Sequence, residues 1–350
     1  MMKKRILLLL SISLSLLSMT VAFVSCELVT PQPEKGTMRV LSIGIDYRNS
    51  NAYLITPYTK ALNACPYDAQ ELAECFLAIN PEASIVQMIQ RRSTPSTEYP
   101  DIHLYPNRDG ILYQIDVLAQ NATTEDITII YYSGHGTDID FDYSLVPAYT
   151  EGTLDLYLST TGGSYVLNYD YPFITMLELR EAINKIKGTV LLILDCCNSG
   201  GHIVQDESTI PIYSFNSSAW KDAMELLFAS NDTQKKNHNQ FVLAASASTQ
   251  LSHEPSVTAN RDDTIHKHGF FTEVLLEALG WSHDSDGKGY YTNIPLAGNK
   301  GTVTLDDVYQ YIDKHQRYPH LPWIAKNWYS DTGQYPQLTH GPYDLVLFQY

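Results

Sequence analysis

Five short apolar runs divide the chain, and they are continuous rather than alternating. They read R-V-L-S-I-G-I-D-Y from Arg39, A-S-I-V-Q-M-I from Ala83, D-I-T-I-I-Y-Y-S from Asp126, T-V-L-L-I-L-D from Thr189 and F-V-L-A-A-S from Phe241. Runs of this length that are apolar on both sides are strands buried on both faces. Between them lie stretches with helical spacing: 61–79 with Pro66 near the first turn, Arg108 to Ala119, a segment around Thr175 to Lys187, and Gly269 to Leu279. Strands alternating with helices predict an α/β fold, a parallel sheet covered by helices on both faces. Functional residues in such sheets collect at the carboxyl ends of the strands. Two polar turns fall there, S-G-H-G at 133–136 and D-C-C-N-S-G at 195–200.

The amino terminus reads differently. Lys3, Lys4 and Arg5 precede an apolar stretch from Ile6 to Leu17, and the bias continues to Val24. A short basic head, an apolar middle and a small residue before a break predict a secretory signal over 1–25 rather than a spanning helix. The following F-V-S-C resembles a bacterial lipobox, in which Cys26 would become the lipidated terminus; ordinary cleavage with release to the periplasm or medium is the alternative. Residues 26–37 form a short polar tether, and 38–350 one globular domain. No later stretch approaches the roughly 18–20 apolar residues of a membrane span, so a lipid anchor is the expected membrane attachment. Without the three leading cations the chain holds 39 acids against 20 of its 23 Lys and Arg, a net charge near −19. Such a body repels nucleic acid and anionic lipid and attracts basic peptides.

The cysteines left after Cys26 are Cys65, Cys75, Cys196 and Cys197, too few for a disulfide scaffold in a chain of 350 residues. Cys65 and Cys75 are expected to pack as small apolar groups. The strand-end doublet is different. A catalytic cysteine needs a base beside it and donors for the oxyanion. His135 sits on a glycine-flanked turn after one strand, the doublet follows the next, and the amides of Gly136 and of the cysteine can face one oxyanion. The opposing reading is a loop histidine beside two inert thiols.

Y-Y-S-G-H-G and L-D-C-C-N-S-G closely resemble the histidine and cysteine motifs of the caspase and metacaspase cysteine peptidases. L-A-A-S-A-S-T-Q-L-S-H-E-P and H-G-F-F-T-E-V-L-L-E-A-L resemble later segments of the same domain. The resemblance runs from about Met38 to the end, and is weakest in the tyrosine-rich stretch 138–171 and in 203–240. It implies the caspase-like three-layer sandwich, a mostly parallel six-stranded sheet between helices, in an exported bacterial member. In the D-x-C-x-S-G register Cys197 is the nucleophile, His135 its partner, and Gly136 and Cys197 supply the oxyanion amides. Cys196 then points the other way along the extended chain, into packing.

Specificity also follows from the resemblance. Caspases cleave after Asp, whereas metacaspases and their bacterial relatives place acids in the first pocket and cleave after Arg or Lys. The matching residues here are Asp195, Asp68, Ser133 and Glu254, with Asn198 standing where many relatives carry His. The implied activity is a cysteine endopeptidase acting on peptides or proteins with basic residues; the alternative is a non-catalytic, partner-binding lipoprotein of the same fold. Lys235 and Lys236 fall where family members are cut during activation. No metal is required. Calcium is admitted as an optional ion, since several metacaspases need it and D-I-D-F-D-Y at 138–143 offers oxygen ligands. H-D-S-D-G-K-G-Y at 283–290 reads as a turn, because Lys288 and Pro295 stand at ligand positions of an EF-hand loop. Zinc at Cys196, Cys197 and His202 lacks a second ligand pair.

Overall fold

The computed structural model describes residues 36–47, 62–91, 99–137, 144–145, 174–196, 240–246, 252, 254, 268–298, 301–317, 334–338 and 345–350. In chain order these form β1 (Met38–Ile45), α1 (Cys65–Ile79), β2 (Ser84–Gln90), a 3₁₀ turn (Ile102–Leu104), α2 (Arg108–Asn121) and β3 (Ile127–Ser133). There follow β4 (Gly136–Thr137), β5 (Ser144–Leu145), β6 (Ile174–Thr175), α3 (Met176–Ile183), β7 (Thr189–Asp195) and β8 (Gln240–Ala244). The remainder comprises α4 (Phe270–Leu279), β9 (Trp281–His283), β10 (Gly289–Tyr291), β11 (Thr302–Thr304), α5 (Leu305–Arg317), β12 (Gln337–Leu338) and β13 (Val346–Gln349).

Six strands make one sheet in the order β12-β8-β7-β3-β1-β2. All neighbours are parallel except β12, which runs antiparallel to β8. Alternate residues divide between the two faces, as the period of two requires. Ile129, Tyr131, Leu191 and Ile193 join α1, α4 and α5 in one core, while Ile130, Tyr132, Leu192, Leu194 and Cys196 join α2 and α3 in the other. Helices thus cover both faces of the sheet, the three-layer α/β sandwich expected from the sequence. The sixth strand, β12, is only two residues long and has no apolar run to announce it; Val346–Gln349 near the C-terminus pairs as β13 with β11, outside the main sheet.

From β1 the chain adds β2 on one side, then returns to add β3, β7 and β8 on the other. The reversal leaves a crevice between the carboxyl ends of β1 and β3. On the α1 face the packing is close: a Cβ on Gly44 of β1 would meet the Cys65 carbonyl oxygen at 2.3 Å. The helix itself starts at Cys65, four residues after the helical spacing begins. Pro66 fits only the first turn because it lacks an N–H. The amides of Asn63 and Ala64 just ahead of it donate to Glu254 Oε2, each at 2.8 Å. Leu72 and Phe76 carry the buried face of α1 against the sheet, each contributing up to about 2–3 kcal/mol of apolar burial.

Candidate active site

The parallel register of β3 and β7 sets Ser133 directly beside Asp195, and Gly134 N–H donates to the Asp195 carbonyl at 3.3 Å. His135 therefore lies two residues past one member of the last paired rung, and position 197 two past the other. Cys197 itself lies outside the described residues, as do Cys26, Lys235, Lys236, His202 and the stretch 138–143. Cys196 is described: it is buried in the α2/α3 core, the packing role expected of it.

A tyrosine pair fixes the histidine backbone. His135 N–H donates to Tyr47 Oη at 2.8 Å, and Tyr132 O–H donates to the His135 carbonyl at 2.8 Å. Since the Tyr132 hydrogen is committed, Tyr47 donates across the 3.0 Å contact between the two hydroxyls. The Tyr47 and His135 rings sit 4.5 Å apart between centroids. Tyr47 has φ 57°, a left-handed conformation that bulky residues avoid. Gln90 holds it there, its Oε1 accepting the amides of Asp46 at 3.1 Å and Tyr47 at 3.0 Å. The glycine of S-G-H-G has a matching cause. A Cβ on Gly134 would lie 2.6 Å from the Tyr47 hydroxyl and 2.7 Å from that of Tyr132.

On the α1/α4 face two buried carboxylates converge. Asp195 Oδ1 accepts from Ser252 Oγ at 2.5 Å and Oδ2 from Thr272 Oγ1 at 2.6 Å. Thr272 in turn accepts from the Tyr131 hydroxyl at 2.5 Å, and Gln334 donates to Ser252 at 3.0 Å. Asp68 Oδ2 accepts from Ser133 Oγ at 2.9 Å; its Oδ1 faces His268 Nδ1 at 2.9 Å and the Gly269 amide at 3.1 Å. A Cβ built on Gly269 would meet Asp195 Oδ2 at 2.8 Å and Asp68 Oδ2 at 3.4 Å, so both acids face the same small space. Burial, and then the neighbouring Asp68 carboxylate, push Asp195 up to about 7. The cause is the cost of an anion without a cation beside it. Among the described residues Asp195 is met by the Ser252 and Thr272 hydroxyls and the Thr272 amide but by no cation, and the one cationic group on Asp68 is His268.

The four expected pocket residues are all described, although Glu254 is flanked by residues outside the described set. Asp195, Asp68 and Ser133 come together, whereas Glu254 covers the amides ahead of α1. The 283–290 stretch is the turn expected of it: Asp284 Oδ1 accepts the amides of Asp286 and Lys288 at 2.9 Å each.

The sequence model of the caspase domain matches residues 39–324. The chain belongs to the caspase-domain peptidase family. Metacaspase-3 of Trypanosoma cruzi (strain CL Brener) is 25% identical over 179 residues, which cover 49% of this chain and 42% of that protein. A solved Geobacter sulfurreducens protein superposes with a TM-score of 0.47 at 15% identity, over 89% of this chain and 98% of that one. Caspase-1 from Spodoptera frugiperda gives 0.46 at 9% identity, over 90% and 89%.

Within this caspase domain several site residues escaped the sequence reading. Tyr47, Gln90, Thr272 and Ser252 occupy ordinary positions in apolar or polar runs. Glu71, His268 and His283 form a cluster one turn along α1 from Asp68. Burial disfavours the Glu71 anion, yet His268, His283 and the Trp281 indole hold it well below the usual carboxylate range. Burial likewise disfavours a charged His268, but Asp68 and Glu71 outweigh it and push the imidazole up to about 10. The H-G-F-F-T segment, which carries both His268 and Thr272, is the signal in the sequence for these two residues.

Proposed function

We propose that the protein is a cysteine endopeptidase that cleaves peptide bonds after Arg or Lys, with Cys197 as nucleophile and His135 as acid and base. The observation that carries this reading is the convergence of Asp68 and Asp195 on the open face of Gly269, beside the strand ends that lead to His135 and Cys197. His268 supplies one cation to Asp68, so the second buried acid, Asp195, calls for another, and a guanidinium or ammonium side chain supplies it. The Cys197 sulfur attacks the carbonyl carbon on the substrate residue held there. The amides of Gly136 and Cys197 accept the developing oxyanion charge by donating to it. His135 protonates the departing amine, which leaves an acyl-enzyme, and then takes a proton from the water that hydrolyses it. Tyr47 and Tyr132 hold the His135 backbone for both steps.

The amino-terminal pattern supports export with Cys26 as a lipid anchor, and Lys235 and Lys236 are the sites at which the chain would cut itself. Calcium enters as an optional ligand of the 138–143 stretch, not as a requirement. One assay tests the central reading: hydrolysis of fluorogenic Arg, Lys and Asp peptides by the natural protein, Cys197→Ala and Cys196→Ala, with and without calcium. Arg and Lys peptides are cleaved, Cys196→Ala keeps activity, and Cys197→Ala loses it. Activity surviving Cys197→Ala overturns the mechanism, and preference for Asp overturns the pocket.

A further inference from the structure

One turn beyond Asp68 on α1 lies a polar cluster that the peptidase reading leaves unused. Glu71 Oε2 accepts from Trp281 Nε1 at 2.8 Å and lies 2.6 Å from His283 Nε2. The same oxygen is 3.4 Å from His268 Nε2. One ligand atom from each of Glu71, His268 and His283 falls within 4.8 Å of the other two. The His268 side chain is fully buried, and its Nε2 has no hydrogen-bond partner. A buried, unpartnered ring nitrogen aimed at a carboxylate is a costly arrangement that asks for a positive centre between the two.

The other nitrogen of the ring explains what that centre could be. Asp68 Oδ1 lies 2.9 Å from Nδ1. A carboxylate that accepts from Nδ1–H selects the tautomer whose Nε2 carries a lone pair, and this is the outer-shell device that orients metal-binding histidines. We propose that Glu71, His268 and His283 bind one divalent transition-metal ion of the zinc class. Two imidazoles and one carboxylate suit zinc rather than calcium or magnesium, which take oxygen ligands. A dication balances the two carboxylates, Asp68 and Glu71, with both rings neutral. Tetrahedral zinc with bonds of about 2.0–2.1 Å sets its ligand atoms about 3.3 Å apart. The Glu71–His268 separation already meets that spacing, and the Glu71–His283 contact opens by about 0.7 Å to reach it. The Trp281 indole stays on the Glu71 carboxylate as an outer partner. His283 is partly exposed, which leaves the fourth position to water. The ion would clasp α1 to the entry of α4 and to β9, with His283 lying 212 residues beyond Glu71 along the chain.

The proposal stands independently of the peptidase reading, and its test removes the other thiol–imidazole pair. The Cys197→Ala protein is stripped with a chelator, then titrated with Zn²⁺ against a chromophoric chelator and separately with Co²⁺. One ion binds per chain, the cobalt spectrum shows tetrahedral nitrogen and oxygen ligation without a sulfur charge-transfer band, and His283→Gln weakens zinc binding by at least about tenfold. Failure to take up one ion, a sulfur band, or unchanged affinity in His283→Gln overturns it. In the first case a proton on His268 Nε2 fills the gap instead. The cobalt spectrum decides the matter even if His283→Gln does not fold.

Discussion

Asp195 and Glu71 are both buried acids between α1, α4 and the sheet, yet their ionisation is displaced in opposite directions. Asp195 has hydroxyl partners and a second carboxylate nearby, and it is pushed up to about 7. Glu71 has two imidazoles and an indole, and it is held well below the ordinary range. Burial is common to both, so burial does not decide the charge; the partners do. Asp195 has no cation among its described partners and is suited to receive one, whereas Glu71 is already met by imidazoles that can carry a proton or share a metal ion.

The contrast breaks most visibly at Asp195. Asp195→Asn should lower kcat/KM for Arg peptides about 10²–10³-fold, the effect of leaving a desolvated guanidinium short of one charge. The same change should raise thermal stability at pH 8. A carboxyl raised from 3.8 to about 7 supports folding fully below pH 3.8, and that support is lost as pH rises through about 7. Asp68 on α1, Tyr131 on β3 and Thr272 on α4 surround the group, and none of them is a cation. Since substrate charge favours the ionised acid, KM for Arg peptides should fall as pH rises to about 7. Lower stability of Asp195→Asn at pH 8 would contradict the contrast.

At the other acid the sign reverses. Glu71→Gln, measured in the presence of a chelator, should destabilise the chain by about 3–5 kcal/mol at pH 7, because a charged His268 loses one of its two anions. A carboxyl held below 4.5 contributes stability that is complete above that pH and is lost as pH falls through the depressed value. The gap between natural protein and variant in denaturant titrations should therefore be constant from pH 5 to 8 and close in acid. A gap that persists undiminished at pH 2 counts against it.

The smallest effect probes the space between the acids. Gly269→Ala puts a Cβ 2.8 Å from Asp195 Oδ2 at a residue with φ −57°, which any amino acid adopts. KM for Arg peptides should rise about tenfold, equivalent to about 1.4 kcal/mol, with a smaller loss of stability than in Glu71→Gln. Unchanged KM would place the substrate cation elsewhere.

How far such features can be read from sequence depends on the distance over which they are encoded. The five parallel strands announce themselves because each is a local apolar run, and the sheet edge at S-G-H-G and D-C-C follows from strand direction alone. Asp68, Ser133 and Asp195 were named through motif resemblance, and the observed register of β3 against β7 gives that grouping a physical cause. Tyr47 was not legible, because its left-handed backbone is imposed by Gln90 from another strand. Nor was the Glu71 cluster, whose partners lie 210 and 212 residues away. Glu71 follows Asp68 by three positions and shares its helix face, but a surface ion pair produces the same spacing. Strand β12 is too short for any periodicity to show.

The start of α4 lies against both pocket acids: the Gly269 amide donates to Asp68, and Thr272 donates to Asp195. The unpaired amides at a helix amino terminus act as about half a positive charge that cannot diffuse away. Together with His268 on Asp68, this gives the acid pair a permanent, built-in counter-charge that still leaves Asp195 without a full cation. On the proposed peptidase reading, capture of a basic side chain by these acids should therefore compete only weakly with sodium or potassium.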